Sequence, residues 1–248
     1  MTTLALYSNK GGVGKTTAAV NLSYLAARTG AKTLVCDLDP QSSATYYFRV
    51  KPKLKRAAKG FTKGGKPIAN SIKGTDYENL DLLPADFSHR NLDITFAELN
   101  RSTERLKKIV KPFKDEYDFV FLDCPPTINI LAENIFNTAD YILVPLMPTT
   151  LSIRTFEQLL SFLGKKKCNP GKAFAFFSMV DTTRKTHREL AVAVYRQHKN
   201  ILKSPIPYLP QLEQMEIQRE PVTAFAPDSA AAKAYQNLWF EIRQDILS

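Results

Sequence analysis

The chain has 248 residues, enough for one α/β domain with a sizeable core. Hydrophobic residues make up 44% and charged residues 23%, as in globular proteins, and three cysteines without CxxC spacing (Cys36, Cys124, Cys168) suggest neither a disulfide framework nor a zinc site. The formal net charge of +10 points to a polyanionic partner, either nucleic acid or an anionic membrane surface.

The first residues, MTTLALYSNK, hold no basic region followed by an apolar one, so no signal peptide is expected. No apolar run reaches the roughly 18 residues that span a bilayer. A cytoplasmic protein is therefore expected. Short apolar runs predict strands at 4–8, 33–39, 79–85, 119–123, 141–146 and 173–180. Several are apolar on both faces, as buried parallel strands are. Helical stretches alternate with them at 15–29, roughly 91–110, 128–138, 152–164, 185–199 and 229–246. This alternation predicts a doubly wound, mostly parallel sheet with helices on both faces, with ligands at the carboxyl ends of the strands. One domain, residues 1–248, is expected. It carries a basic loop or insertion at about 49–73, where no acidic residue occurs between Asp39 and Asp76.

The first strand runs into SNKGGVGKTT, residues 8–17, and then a helix. Gly11, Gly12 and Gly14 let backbone N–H groups turn inward, and the positive helix end attracts phosphate. Lys15 can reach the β and γ phosphates, and the Thr16 hydroxyl can ligate Mg²⁺. Thr17 adds a hydroxyl near the α-phosphate. Asn9 stands where the usual P-loop pattern has its first glycine, and a second lysine, Lys10, precedes the glycines. The second strand ends in CDLDPQ, with Asp37 and Asp39 placed by strand spacing on one face. The strand FVFLD ends at Asp123, followed by CPPT. Such a carboxylate suits the Mg²⁺ shell. Cys124 reads as a packed small residue, because no cationic neighbour in sequence would activate it.

The loop KGGVGKTT resembles the deviant Walker A loop of the ParA/MinD family of P-loop ATPases. DLDPQ (37–41) and DCPP (123–126) resemble that family's next motifs. The resemblance implies a P-loop NTPase fold and an ATP hydrolase with ATP and Mg²⁺ as cofactors. It implies that residues 10–17, Val13 included, cradle ATP. Lys10 would reach the nucleotide of the other subunit in an ATP-sandwich homodimer. Asp39 would orient the attacking water, and Thr16, Asp37 and Asp123 would serve Mg²⁺. By the same resemblance, base contacts would come from Met179, Asp181, Pro207, Leu209 and Pro210.

The family's ATP-bound dimer binds nucleoid DNA without sequence preference. A ParB-like or adaptor protein stimulates hydrolysis and release, and the cargo is a plasmid, a chromosome locus or a protein organelle such as the carboxysome. Candidate DNA contacts here are Arg184, Lys185, Arg188, Arg196, Lys199, Lys203 and Arg219, or else the 49–73 segment. A chain starting at its first strand resembles the small type without a helix-turn-helix extension. A membrane-binding MinD-like regulator is the alternative. It is disfavoured because the final stretch carries Glu241 and Asp245 and few cations, so no stable membrane insertion is expected. An iron–sulfur reductase would need two suitably placed cysteines, and only Cys124 follows a plausible motif. A scaffold without ATPase activity is disfavoured by the presence of Lys10, Lys15, Thr16, Asp39 and Asp123.

Overall fold

The computed structural model describes residues 1–51, 66–85, 87–99 and 102–247. Most of the basic 49–73 segment lies outside these residues. Eight strands form one sheet: β1 (Thr2–Leu6), β2 (Thr33–Asp37), β3 (Lys73–Gly74), β4 (Leu80–Leu83), β5 (Phe119–Asp123), β6 (Tyr141–Leu146), β7 (Ala173–Phe177) and β8 (Ile201–Leu202). Their order is β3-β4-β2-β5-β1-β6-β7-β8, and every pairing is parallel except β3 with β4. The two-residue edge strands β3 and β8 escaped the sequence reading because so short a run has no period. The strands predicted at 4–8 and 173–180 end two and three residues earlier, at Leu6 and Phe177, where the chain turns into site loops.

The helices are α1 (Lys15–Arg28), α2 (Ser43–Tyr47), α3 (Lys66–Ala69), α4 (Leu92–Ala97), α5 (Arg105–Val110), α6 (Ile130–Thr138), α7 (Thr150–Lys165), α8 (Lys185–Gln197), α9 (Pro210–Gln218), α10 (Val222–Phe225) and α11 (Ala230–Asp245). The single helix predicted near 91–110 is instead two short ones, α4 and α5. α9 was not predicted. Pro210 opens it in the first turn, where a missing N–H costs nothing, but it buries only Met215 and so shows little apolar period.

Strand alternation divides the core in two. Ala5, Cys36, Val120, Leu122 and Val144 point to the face covered by α4 to α8. Leu4, Leu6, Val35, Phe121 and Phe176 point to the face covered by α1, α2 and α9 to α11. This is the two-sided burial expected of a doubly wound sheet. The last helix, α11, buries Tyr235, Leu238, Trp239 and Ile242 against this second layer. Trp239 meets Phe119 edge to face at 5.6 Å. Its apolar face is thus committed to the core, although Phe240 stays exposed. No helix among the described residues is long and apolar enough to cross a membrane. Trp239→Ala should cost about 3–5 kcal/mol of stability, read as a lowered denaturation midpoint.

Candidate nucleotide site

β1, β2 and β5 are neighbours, and their carboxyl ends carry the three motifs. Residues 8–14 link β1 to α1. Gly12 and Gly14 take φ of 68° and 88°, which only glycine adopts without strain. A Cβ on Gly14 would stand 2.9 Å from Ser178 Oγ at the end of β7, so this glycine is also required by close approach. Gly11 has open space around its Cα and a negative φ, so neither reason applies to it. The first N–H groups of α1 lie at the mouth of a cavity of about 550 Å³. Gly11, Gly12, Gly14 to Thr17 and Asp39 line one side, and Val13 is buried behind them.

Asp37 and Asp123 are register partners on β2 and β5, and both are fully buried. Asp37 is well supplied with donors. The Thr45 N–H and hydroxyl donate to its Oδ2 at 2.9 and 2.7 Å, and the Asp39 N–H donates to its Oδ1 at 3.2 Å. Burial nevertheless pushes its pKa up to about 7. Asp123 differs. The Thr16 hydroxyl approaches it and moderates its shift without reaching hydrogen-bond geometry, and both carboxylate oxygens lack a partner among the described residues. Burial, then the Asp37 carboxylate beside it, push it well above the usual carboxylate range. Two adjacent buried carboxylates, one with unpartnered oxygens, fit a cation.

The nearest cation is Lys15, which is 7% exposed. Burial lowers its pKa, and the field of Asp123 works against that shift. Its Nζ folds back to donate to the Lys10 carbonyl at 2.8 Å. The Lys10 side chain points elsewhere, with Nζ 3.4 Å from Ser152 Oγ in the first turn of α7. The two lysines of the loop thus have separate destinations. Asp39 lies beyond the end of β2, so strand alternation does not put it on the face of Asp37 as the spacing suggested. It is half-buried and its Oδ1 accepts from the Gln41 N–H at 2.9 Å. That places its carboxyl at the cavity wall rather than in the sheet.

Thr127, in the segment after Asp123, is tied to β1: the Tyr7 hydroxyl donates to its carbonyl at 2.9 Å. Asn129 caps α6, its Oδ1 accepting from the N–H groups of Leu131 and Ala132. Cys124 is fully buried and its pKa is pushed well up by burial, so it stays a packed thiol, as the sequence indicated.

A second cavity, about 300 Å³, shares Gly12, Gly14, Thr17 and Tyr47 with the first. Of the predicted base contacts, Met179, Pro207 and Leu209 line it. Asp181 does not; its carboxylate is held by Thr183 and Arg184. Pro210 also lies outside the lining and begins α9. Tyr47, Ser178, Tyr208 and Leu212 line the cavity but were missed, because no motif marks them. Met179 has φ of 56°, a strained conformation for methionine at the cavity wall.

The basic candidates fall into two groups. Arg184 pairs with Asp181, Lys185 with Glu189, and Arg188 donates to the Thr182 carbonyl. Arg219 stacks on the Tyr46 ring at 4.3 Å and donates to the Tyr46 carbonyl, so its guanidinium is already engaged. Arg196, Lys199 and Lys203 are exposed on and after α8. Lys199 lies past the end of that helix, so the helix face expected for Arg188, Arg196 and Lys199 holds only the first two.

A family model described as an AAA domain matches residues 1–172. The virulence plasmid ParA family protein pGP5-D of Chlamydia psittaci is 31% identical over 100% of this chain and 96% of its own. The chromosome-partitioning ATPase Soj of Treponema pallidum is 30% identical over 97% of this chain and 96% of its own. A putative plasmid partition protein from Borrelia burgdorferi, solved bound to AMPPNP, superposes with a TM-score of 0.81 at 22% identity, covering 99% of each chain.

The carboxylate pair has a testable cost in the nucleotide-free protein. A folded-state pKa raised above the unfolded value means that the native state binds more protons between the two values. Stability contributed by protonated Asp37 is therefore full at acid pH and falls as pH rises from about 4 toward about 7. Asp123→Asn removes the less satisfied charge. It should raise Tm at pH 7.5 by about 2–6 °C and flatten the pH dependence. Calorimetry of the nucleotide-free protein from pH 5 to 8 checks both.

Proposed function

Because the chain belongs to the ParA/MinD family of P-loop ATPases, we propose that it is a partition or positioning ATPase whose ATP-bound dimer rides on DNA. The observation that carries this reading is the pair of lysines in one phosphate loop, sent in different directions in front of a buried carboxylate pair. ATP would lie along the two joined cavities, its base beside Met179, Pro207 and Leu209 and its phosphates over Gly11 to Thr17. Lys15 would exchange the Lys10 carbonyl for phosphate oxygens. Mg²⁺, when bound, neutralises charge between the phosphate oxygens; Thr16, with Asp37 and Asp123 behind it, is the set that would hold it. Asp39, half-buried at the cavity wall, would orient the attacking water.

Lys10 leaves its own nucleotide cavity unlined and stands by Ser152 beside exposed Leu151 and Ile128. That placement supports an apolar face for a second subunit, with Lys10 reaching the neighbour's phosphates. The DNA surface draws on Arg196, Lys199 and Lys203, which are exposed. Arg184, Lys185 and Arg188 would join by exchanging exposed ion pairs and a carbonyl bond for phosphates, which costs little. Arg219 is the weakest candidate because its stacking on Tyr46 would be lost. The cargo would be a plasmid, a chromosome locus or a protein organelle such as the carboxysome. A ParB-like or adaptor protein would trigger hydrolysis, and the protein would be cytoplasmic and nucleoid-associated. The packing of Tyr235, Leu238, Trp239 and Ile242 commits the apolar face of α11 to the core, which counts against this helix as the lipid-binding element of the MinD-like reading.

Asp39→Ala, used to hold ATP uncleaved, should bind random-sequence duplex DNA with ATP but not with ADP or without nucleotide. Affinity should fall by about 10³-fold between 50 and 200 mM salt if some six phosphates are neutralised. Binding in no state would remove DNA from the reading. Lys10→Ala should abolish ATP-dependent dimerisation, measured by light scattering, while nucleotide Kd changes by no more than about threefold. Loss of nucleotide binding would instead assign Lys10 to its own subunit's site.

A further inference from the structure

The wall of the larger cavity facing the phosphate loop is built by residues that no motif of the sequence marks. The chain after β4 makes a turn at Phe87–Asn91 and then α4, and His89, Arg90 and Asp93 line the cavity opposite Lys15 and Asp39. This wall is firmly held. His89, Leu92 and Phe96 are buried, at 2%, 1% and 0% exposure. Asp93 Oδ2 accepts from Asn129 Nδ2 at 3.1 Å, and Asn129 also caps α6. Asp93, in the first turn of α4, thus links this wall to the segment 125–129 that follows Asp123. Arg90 is exposed on this anchored turn, and it is the only guanidinium lining the cavity among the described residues.

We propose that Arg90 is a nucleotide-contacting residue that reads the γ-phosphate across the cavity, in the same subunit as Lys15. The inference rests on the nucleotide reading above and extends it to a residue outside the phosphate loop. The direction follows from the two cavities. The base end is the smaller one, by Met179 and Pro207, and it shares Gly12, Gly14, Thr17 and Tyr47 with the larger. Arg90 lines only the larger one, beside Pro125, Pro126 and Thr127, which puts it at the far end from the base. A guanidinium offers planar, paired donors to phosphate oxygens, which an ammonium does not. Charge also favours it. Even with Mg²⁺ bound, a triphosphate keeps more negative charge than Lys15 alone offsets within one subunit, and the carboxylates of Asp39 and Asp93 on the same walls add to the deficit. Through Asp93 and Asn129, a contact at Arg90 would be felt at the start of α6, so occupation by ATP rather than ADP would reach the 125–129 segment.

The test compares Arg90→Ala and Arg90→Lys with the parent protein. Kd is measured by calorimetry for ADP and for a non-hydrolysable ATP analogue, both with Mg²⁺, and kcat is measured with ATP. Arg90→Ala should leave ADP affinity within about twofold and weaken the ATP analogue by about ten- to a hundredfold, the loss expected for a charge-assisted contact. Arg90→Lys should recover only part of this. Unchanged ADP binding also shows that the exposed substitution has not disturbed the fold. Equal weakening of both nucleotides, or no change in either, would overturn the proposal. Failure of the parent to bind either nucleotide would overturn the ATPase reading itself, a separate outcome.

Discussion

Two carboxylates, Asp37 and Asp123, stand side by side at the ends of adjacent strands with no access to water. Like charges in that position oppose each other and oppose burial, and the surrounding chain is arranged to contain the cost. Asp37 is kept by three donors from Thr45 and Asp39. Asp123 has no such shell and faces Lys15, whose own charge is disfavoured by burial. All three groups are poorly solvated; Lys15 and Asp123 favour each other's charged form, whereas Asp37 disfavours that of Asp123. A site of this kind is held in a state that a cation and a polyanion together relieve, which is why the same residues that weaken the empty protein suit it to bind a metal–nucleotide complex.

The phosphate loop is clamped from two sides. On the base side, fully buried Asn21 of α1 donates to Thr17 O and to Met215 of α9, while its Oδ1 accepts from the N–H and hydroxyl of Thr223 in α10. On the other side, Tyr7, just before the loop, holds Thr127. Burial pushes the Tyr7 hydroxyl pKa up, which keeps it a proton donor to that carbonyl. The loop is therefore tied by hydrogen bonds to α9 and α10 at one end and to the segment leading into α6 at the other.

Much of this was legible in the sequence, for identifiable reasons. The central strands showed because burial on both faces leaves them mostly apolar between the threonines that begin β1 and β2 and the aspartates that end β2 and β5. The phosphate loop, the aspartates and Asp123 showed because their chemistry fixes their spacing to glycines, to proline or to a strand end. What stayed hidden depends on tertiary contact. Tyr47, Ser178 and Tyr208 line the base cavity from three separate segments, and nothing local marks them. Arg219 counted as one more surface cation until Tyr46 was found beneath it. The same blindness applied to Arg90, one arginine in a turn of mixed composition.

Charge on a sequence and charge available to a partner are therefore different quantities in this protein. Arg49 is divided between Asp76 and Glu220, and Lys172 donates to the carbonyls of Phe136 and Ala139 at the end of α6. Burial lowers the pKa of Lys172, which places it among the structural groups rather than the surface field. These cations add to the total of +10 without being freely offered to a polyanion. Among the described residues, Arg196, Lys199 and Lys203 keep exposed charges with no carboxylate partner, and so do Lys107, Lys108, Lys111 and Lys114 on and after α5, so the remaining field is spread over more than one surface. On the DNA reading proposed above, exposed side chains of this kind would each make a replaceable contact with a phosphate.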